Sequence, residues 1–71
     1  MFNNLGEFIY MKTEFDKEKV ADALVSAYSR GENIELSSVQ HRAAASVGVN
    51  FDDFSDKDLD DIKKLVLKRI H

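Results

Sequence analysis

The chain contains no cysteine, no proline and no tryptophan, and has only three glycines among its 71 residues. Without cysteine there is no disulfide framework and no thiolate metal site. Without proline nothing rigid interrupts a helix, which leaves Gly6, Gly31 and Gly48 as the strong punctuation. Long apolar runs are missing too, and no segment approaches the roughly 18 apolar residues of a membrane-spanning helix. The opening "MFNNLGEFIYMKTEF" carries no basic leader and only a short apolar stretch, so no signal peptide is expected. A cytoplasmic protein without membrane association is the expectation. There is also no Gly-rich phosphate loop.

What is present is a high hydrophobic fraction, 44%, in a chain long enough for one domain. A domain of this size buries only roughly 60% of its unfolded surface, so its margin of stability is thin. Small domains without disulfides or metals often gain stability by associating. Part of the apolar surface is therefore expected in a contact between subunits, and a homodimer is the expected state.

Net charge is −3, but its order along the chain is more informative. Residues 50–61 hold Asp52, Asp53, Asp56, Asp58, Asp60 and Asp61 against Lys57, whereas residues 62–71 hold Lys63, Lys64, Lys68 and Arg69 and no acid. Strand-like alternation is weak throughout. The expectation is an all-α fold, a small three- or four-helix domain spanning 1–71.

The last helix is expected over about 56–70. Ser55 is placed to cap it, with Asp58 completing a capping box and Phe54 and Leu59 positioned as a hydrophobic staple. Leu59, Ile62, Leu65, Val66 and Ile70 recur at three- and four-residue steps as an apolar stripe. Acids in its first turns and bases in its last favour the helix macrodipole at both ends. Asp60 and Lys64 form an i,i+4 pair.

An earlier helix is expected from about Asp16 to Arg30, capped by Thr13 or Asp16 and ended by Gly31. Its buried stripe would be Val20, Ala23, Leu24, Ala27 and Tyr28, widened by Ala21 and Val25. A middle helix is expected to start at Ser37 as cap, with Gln40 bonding back to the cap amide, and to end at Gly48. Between them, Ile34 and Leu36 are expected to tuck into the core. Residues 1–12 read as a short helix, capped by Asn3 or Asn4, or a flexible arm; Phe8 to Met11 would equally suit a short strand.

The segment from Gln40 resembles the helix-turn-helix family in its packing positions. With Gln40 first, Ala44 falls at the fifth, Gly48 at the ninth and Val49 at the tenth. Ala43, Val47 and Phe54 fill the apolar fourth, eighth and fifteenth. The resemblance implies a corner where two helices meet tightly and, by extension, DNA binding. It departs at the eighteenth position, Lys57, and the would-be recognition helix displays Asp52, Asp53, Asp56 and Asp58. DNA binding begins with neutralising phosphates by Lys and Arg, so the corner is degenerate and its electrostatics are reversed. The run from Ala23 to Val47 is also similar in layout to small enterobacterial biofilm and acid-stress regulators of the YmgB type. In these a helix, a Gly-containing break and a second helix follow in close order. That resemblance implies a dimeric regulator.

Other chemistry finds little support. Asp56, Asp58 and Asp60 match the first ligand spacings of an EF-hand, but Asp61 stands where Gly is needed and Leu67 where Glu is needed. His41 and His71 belong to no metal or triad pattern, and His41 reads as an exposed helical residue. No catalytic residue, metal or cofactor is expected. The sequence ranks a non-enzymatic regulator or adaptor, acting through protein–protein contacts, first. A small DNA-associated transcription regulator and an acidic inhibitor of a nucleic-acid-binding protein follow as alternatives. The residues expected to meet a partner with a basic surface are Phe8, Tyr10, Phe51, Asp52, Asp53, Phe54 and Asp56.

Overall fold

The computed structural model describes the backbone from Leu5 to His71 and the side chains from Thr13 onward. Three α-helices, α1 (Leu5–Ser29), α2 (Ser37–Ser46) and α3 (Asp56–Ile70), are joined by a linker and a short 3₁₀ turn, Phe51–Asp53. No strand occurs among the described residues. The fold is the all-α, three-helix arrangement expected.

The N-terminal elements merge into one. Thr13 and Asp16 do not start a helix, because α1 runs unbroken for 25 residues from Leu5, about 37 Å at 1.5 Å per residue. Side chains that can cap do so only where the backbone leaves the helix, and no glycine or proline between Gly6 and Gly31 makes it leave. The strand alternative for residues 8–11 is overturned by the same continuity.

Both internal helix ends are closed by a glycine in the left-handed region. Gly31 has φ 88° and Gly48 φ 77°. After α1, the N–H of Glu32 bonds to the Ala27 carbonyl and that of Gly31 to Tyr28, each at 3.0 Å. After α2, Val49 N–H bonds to Ala44 O at 2.9 Å and Gly48 N–H to Ala45 O at 3.0 Å. This pair of bonds is the Schellman motif, which requires positive φ at the glycine. Space does not select glycine here, since a Cβ at either position would meet nothing within 4 Å.

The start of α2 differs from expectation. Leu36, extended at φ −77° and ψ 133°, is the residue before the helix, and no side chain caps it. Ser37 is already helical, so its hydroxyl turns away to His41 Nδ1, 3.2 Å away. Gln40 reaches back past the cap and donates to the Ile34 carbonyl at 2.9 Å. That bond holds Ile34 against the core, while Leu36 is 51% exposed rather than tucked in.

α1 is the central element against which both α2 and α3 pack. The core consists of Val20, Ala21 and Leu24 of α1, Ala43 and Ala44 of α2, and Ile62 and Val66 of α3. Ala21 and Ala44 are both fully buried, and small residues let helix backbones come close. Tyr28, expected in the buried stripe, is 50% exposed, since α1 ends one residue later, at Ser29, and its outer face is uncovered. The stripe instead begins one turn earlier, on a charged residue, Lys17, which is only 3% exposed.

Candidate interaction surface

The aspartate-rich segment is divided by the folding of its own backbone. Asn50 accepts the Asp52 N–H at 3.1 Å and opens the 3₁₀ turn. Phe54 then returns to extended backbone, and Ser55 caps α3. Ser55 Oγ accepts the Asp58 N–H, and the Asp58 carboxylate accepts the Ser55 N–H, both at 3.2 Å. The capping box read from the sequence is therefore complete. Being helical from Asp56, the segment sends Asp58 and Asp61 to the side facing α1 and leaves Asp56 and Asp60 exposed.

The inward carboxylates meet Lys17. Its Nζ lies 2.8 Å from Asp61 and from Glu14, and 3.3 Å from Asp58. Hydrogen bonds to Asp61 and Glu14 hold the ammonium well above its usual range, outweighing the opposing cost of burial. Asp61 is held below the usual carboxylate range, chiefly by the Lys17 hydrogen bond. For Asp58, burial pushes upward, but the bonds from Ser55 and Lys17 win and its pKa falls. This cluster fastens the first turns of α3 to α1. At the other end of α3, Arg69 donates to Asp22 at 2.8 Å and also pairs with Glu18, both on α1. No reading of the sequence anticipated Lys17. The available signal was its place three and four residues before Val20 and Ala21, in register with the apolar stripe.

The outward acids sit on the corner between α2 and α3. Asp52 and Asp53 are exposed, and Phe51 and Phe54 beneath them are half-buried, edge to face with ring centroids 6.0 Å apart. Both rings pack on the core, so they contribute partial faces rather than free anchors. The carboxylates of Asp53 and Asp56 make no hydrogen bond or ion pair among the described residues. Phe8 and Tyr10 lie on the first turns of α1, and their side chains fall outside the described residues. The structure thus brings Phe51, Asp52, Asp53, Phe54 and Asp56 together. Among the described residues, the exposed large apolar side chains are others: Phe15, Tyr28, Leu36 and Leu67.

His41 ties the corner to α2. Its Nε2 lies 2.7 Å from Asp52 Oδ1, its Nδ1 lies 2.8 Å from the Ser37 carbonyl, and its ring stands edge-on to Phe51 at 5.1 Å. Both nitrogens face acceptors, so the doubly protonated ring satisfies both bonds. The Asp52 hydrogen bond, with help from the Ser37 carbonyl, raises the His41 pKa above 6.5. Because the folded value is raised, the clasp is complete below pH 6.5 and is lost as pH climbs through the folded value. A titration of the His41 ring followed by NMR should give a midpoint above 6.5, and Asp52→Asn should bring it back down. An unchanged midpoint in the variant would rule out the clasp.

Basic groups are largely consumed within the fold. Arg30 and Arg42 both pair with Glu32, Lys19 with Asp16 at 3.6 Å, Lys57 with Asp61 at 3.5 Å and Lys64 with Asp60 at 3.1 Å. Of the described lysine and arginine side chains, Lys63 and Lys68 lack a carboxylate partner. The EF-hand spacing lies on α3, where Asp58 is already engaged by Ser55 and Lys17. No cluster of three or more candidate metal ligands occurs among the described residues. No helix among them is long and apolar enough to cross a membrane. No family model matches the chain, and neither a curated protein nor a solved structure does.

Proposed function

We propose that the chain is a small non-enzymatic regulator or adaptor that works as a homodimer and engages a protein partner with a basic surface. The observation that carries this reading is the sorting of the aspartates. Asp58 and Asp61 are taken up by Lys17, whereas Asp53 and Asp56 stand exposed and unpaired beside Asp52 and above the half-buried Phe51 and Phe54. A carboxylate cluster over a partial aromatic surface suits Arg and Lys side chains, which supply both charge and stacking faces.

DNA recognition ranks lower. Duplex binding draws its affinity from free Lys and Arg at phosphates, and here Arg30, Arg42 and Arg69 are already bonded to carboxylates. The corner that would enter a groove presents acids. A basic partner includes nucleic-acid-binding proteins, whose phosphate-contacting surface such a corner would occupy.

The triple variant Asp52→Asn, Asp53→Asn, Asp56→Asn tests the proposal. In affinity capture from the source cell, quantified against wild type, specific partners should be basic and should fall away at least tenfold with the variant. Circular dichroism should show its helices intact. Partners retained equally by both proteins would refute the corner's role, and salt-dependent shifts of random duplex DNA by the wild type would favour the DNA reading.

A further inference from the structure

The groove between α1, the linker and α3 has a volume of about 660 Å³. Leu24, Ile62 and Val66, all buried, form its floor, and Leu67, 45% exposed, stands on its rim. Its α3 side runs from Asp56 to Leu67, about 16 Å at 1.5 Å per residue. Phe51 and Asp56 line it too, so the groove opens directly into the acidic corner.

Charge decides what fits there. The lining carries Glu35, Asp56 and Asp60 against Lys63, and all four are exposed. Asp60 pairs with Lys64 at 3.1 Å. The carboxylates of Glu35 and Asp56 make no hydrogen bond or ion pair among the described residues. A second copy meeting this face with its own would bring the same excess of acid, and a nucleic acid or anionic membrane would bring phosphates. Like charges set against each other across an interface repel. Arg and Lys suit the groove, because their stems lie along apolar surface while their heads reach the carboxylates. Lys63 sets the register, since a partner must place an uncharged or acidic residue opposite it.

The backbone of the occupant follows from the walls. No strand occurs among the described residues, so no open sheet edge is offered to an extended peptide. A helix bonds its own backbone and presents apolar side chains at three- and four-residue steps to such a groove.

We propose that this groove docks a basic amphipathic helix of the partner, with an apolar side chain seated beside Leu67 and flanking Lys or Arg held by Glu35 and Asp56. The proposal rests on the basic-partner reading above and names the form of the segment recognised. Asp56 belongs to both surfaces: the corner supplies charge, and the groove supplies the apolar anchor.

Selection of helical peptides from a random-sequence library, with the full chain as target, tests it. Recovered peptides should carry an apolar stripe at three- and four-residue spacing, flanked by Lys and Arg. Leu67→Glu should weaken them about tenfold or more with helicity unchanged in circular dichroism, since this side chain is largely outside the core. Glu35→Lys/Asp56→Lys, both exposed positions, should weaken them similarly and, used as the target, should recover acidic flanks instead. No binders, acidic or unpatterned sequences, or affinity indifferent to both variants would overturn the groove. A homodimer whose dissociation constant rises with Leu67→Glu would give the face to a second copy and overturn it as well. Basic peptides weakened by Asp52→Asn/Asp53→Asn but not by Leu67→Glu would overturn the groove and leave the acidic corner standing.

Discussion

Lys17→Met is expected to lower stability by about 2 kcal/mol at neutral pH, a fall in melting temperature of roughly 8–16 °C for a domain of this size. The side chain is nearly the same length, so the loss isolates the ammonium. Removing one partner of a fully buried pair costs about 3–5 kcal/mol, because the other charge is stranded. Here the stranded carboxylates of Glu14, Asp58 and Asp61 retain 45%, 21% and 30% of their exposure, so water relieves part of that loss. The effect must also depend on pH in a defined direction. Asp58 and Asp61 are depressed in the folded state, so their share of the stability is full above the ordinary value of 3.8 and disappears as pH falls through the folded values. Lys17 is raised above 10.5, so its share is full below that pH and disappears only at stronger alkali. Thermal melts of wild type and Lys17→Met should therefore differ most across the neutral range and converge in acid. A constant difference down to pH 2 would mean that Lys17 acts through packing of its methylenes alone.

Ala44→Leu is expected to cost about 2–3 kcal/mol, whereas Ala45→Leu should change stability by less than about 0.5 kcal/mol. The two alanines are neighbours in sequence, but Ala44 is fully buried against α1 and Ala45 is exposed. Three added carbons at Ala44 must push α2 away from Val20 and Ala21, and α2 is only 10 residues long, with little else to hold it. On helix propensity Ala and Leu are close, so the contrast reports packing alone. Urea unfolding checks both, and equal midpoints for the two variants would refute the close approach of α2 to α1.

Local chemistry in the sequence foretold what local chemistry controls. The capping box at Ser55 and Asp58, the glycine ends at Gly31 and Gly48, and the Asp60–Lys64 pair all involve residues within a few positions of one another. The expected stripe on α3 contains both its buried residues, Ile62 and Val66. The errors occurred where a distant element decides the outcome. Thr13 and Asp16 look like caps, but a helix start requires the preceding backbone to be extended, and nothing there forces it. Ser37 lost the cap position to Leu36 because Gln40 bonded to Ile34 and set the linker's path. Tyr28 is apolar enough for a core, but neither α2 nor α3 covers it. Lys17 was missed because a lysine on an apolar stripe is normally a solvated boundary. Its burial depends on three carboxylates, two of them more than 40 residues further along the chain.

The candidate surface was half legible. The run of aspartates from Asp52 to Asp61 was visible, and its contrast with the basic end of α3 argued against a groove-reading helix. Which acids are available to a partner depends on helical phase from Asp56 and on where Lys17 lies, and neither follows from composition. Phe51 and Phe54 were expected to meet a partner, and they also pack on the core and on each other, with His41 edge-on to Phe51.

The central claim is that one acidic segment performs two tasks, with its inward carboxylates fastening α3 to α1 and its outward ones left for recognition. Urea unfolding of two Asn pairs tests it most directly: Asp58→Asn/Asp61→Asn against Asp53→Asn/Asp56→Asn. The account predicts a clear drop in midpoint for the inward pair at neutral pH and a midpoint near wild type for the outward pair. Equal losses in the two variants, or a larger loss for the outward pair, would contradict it.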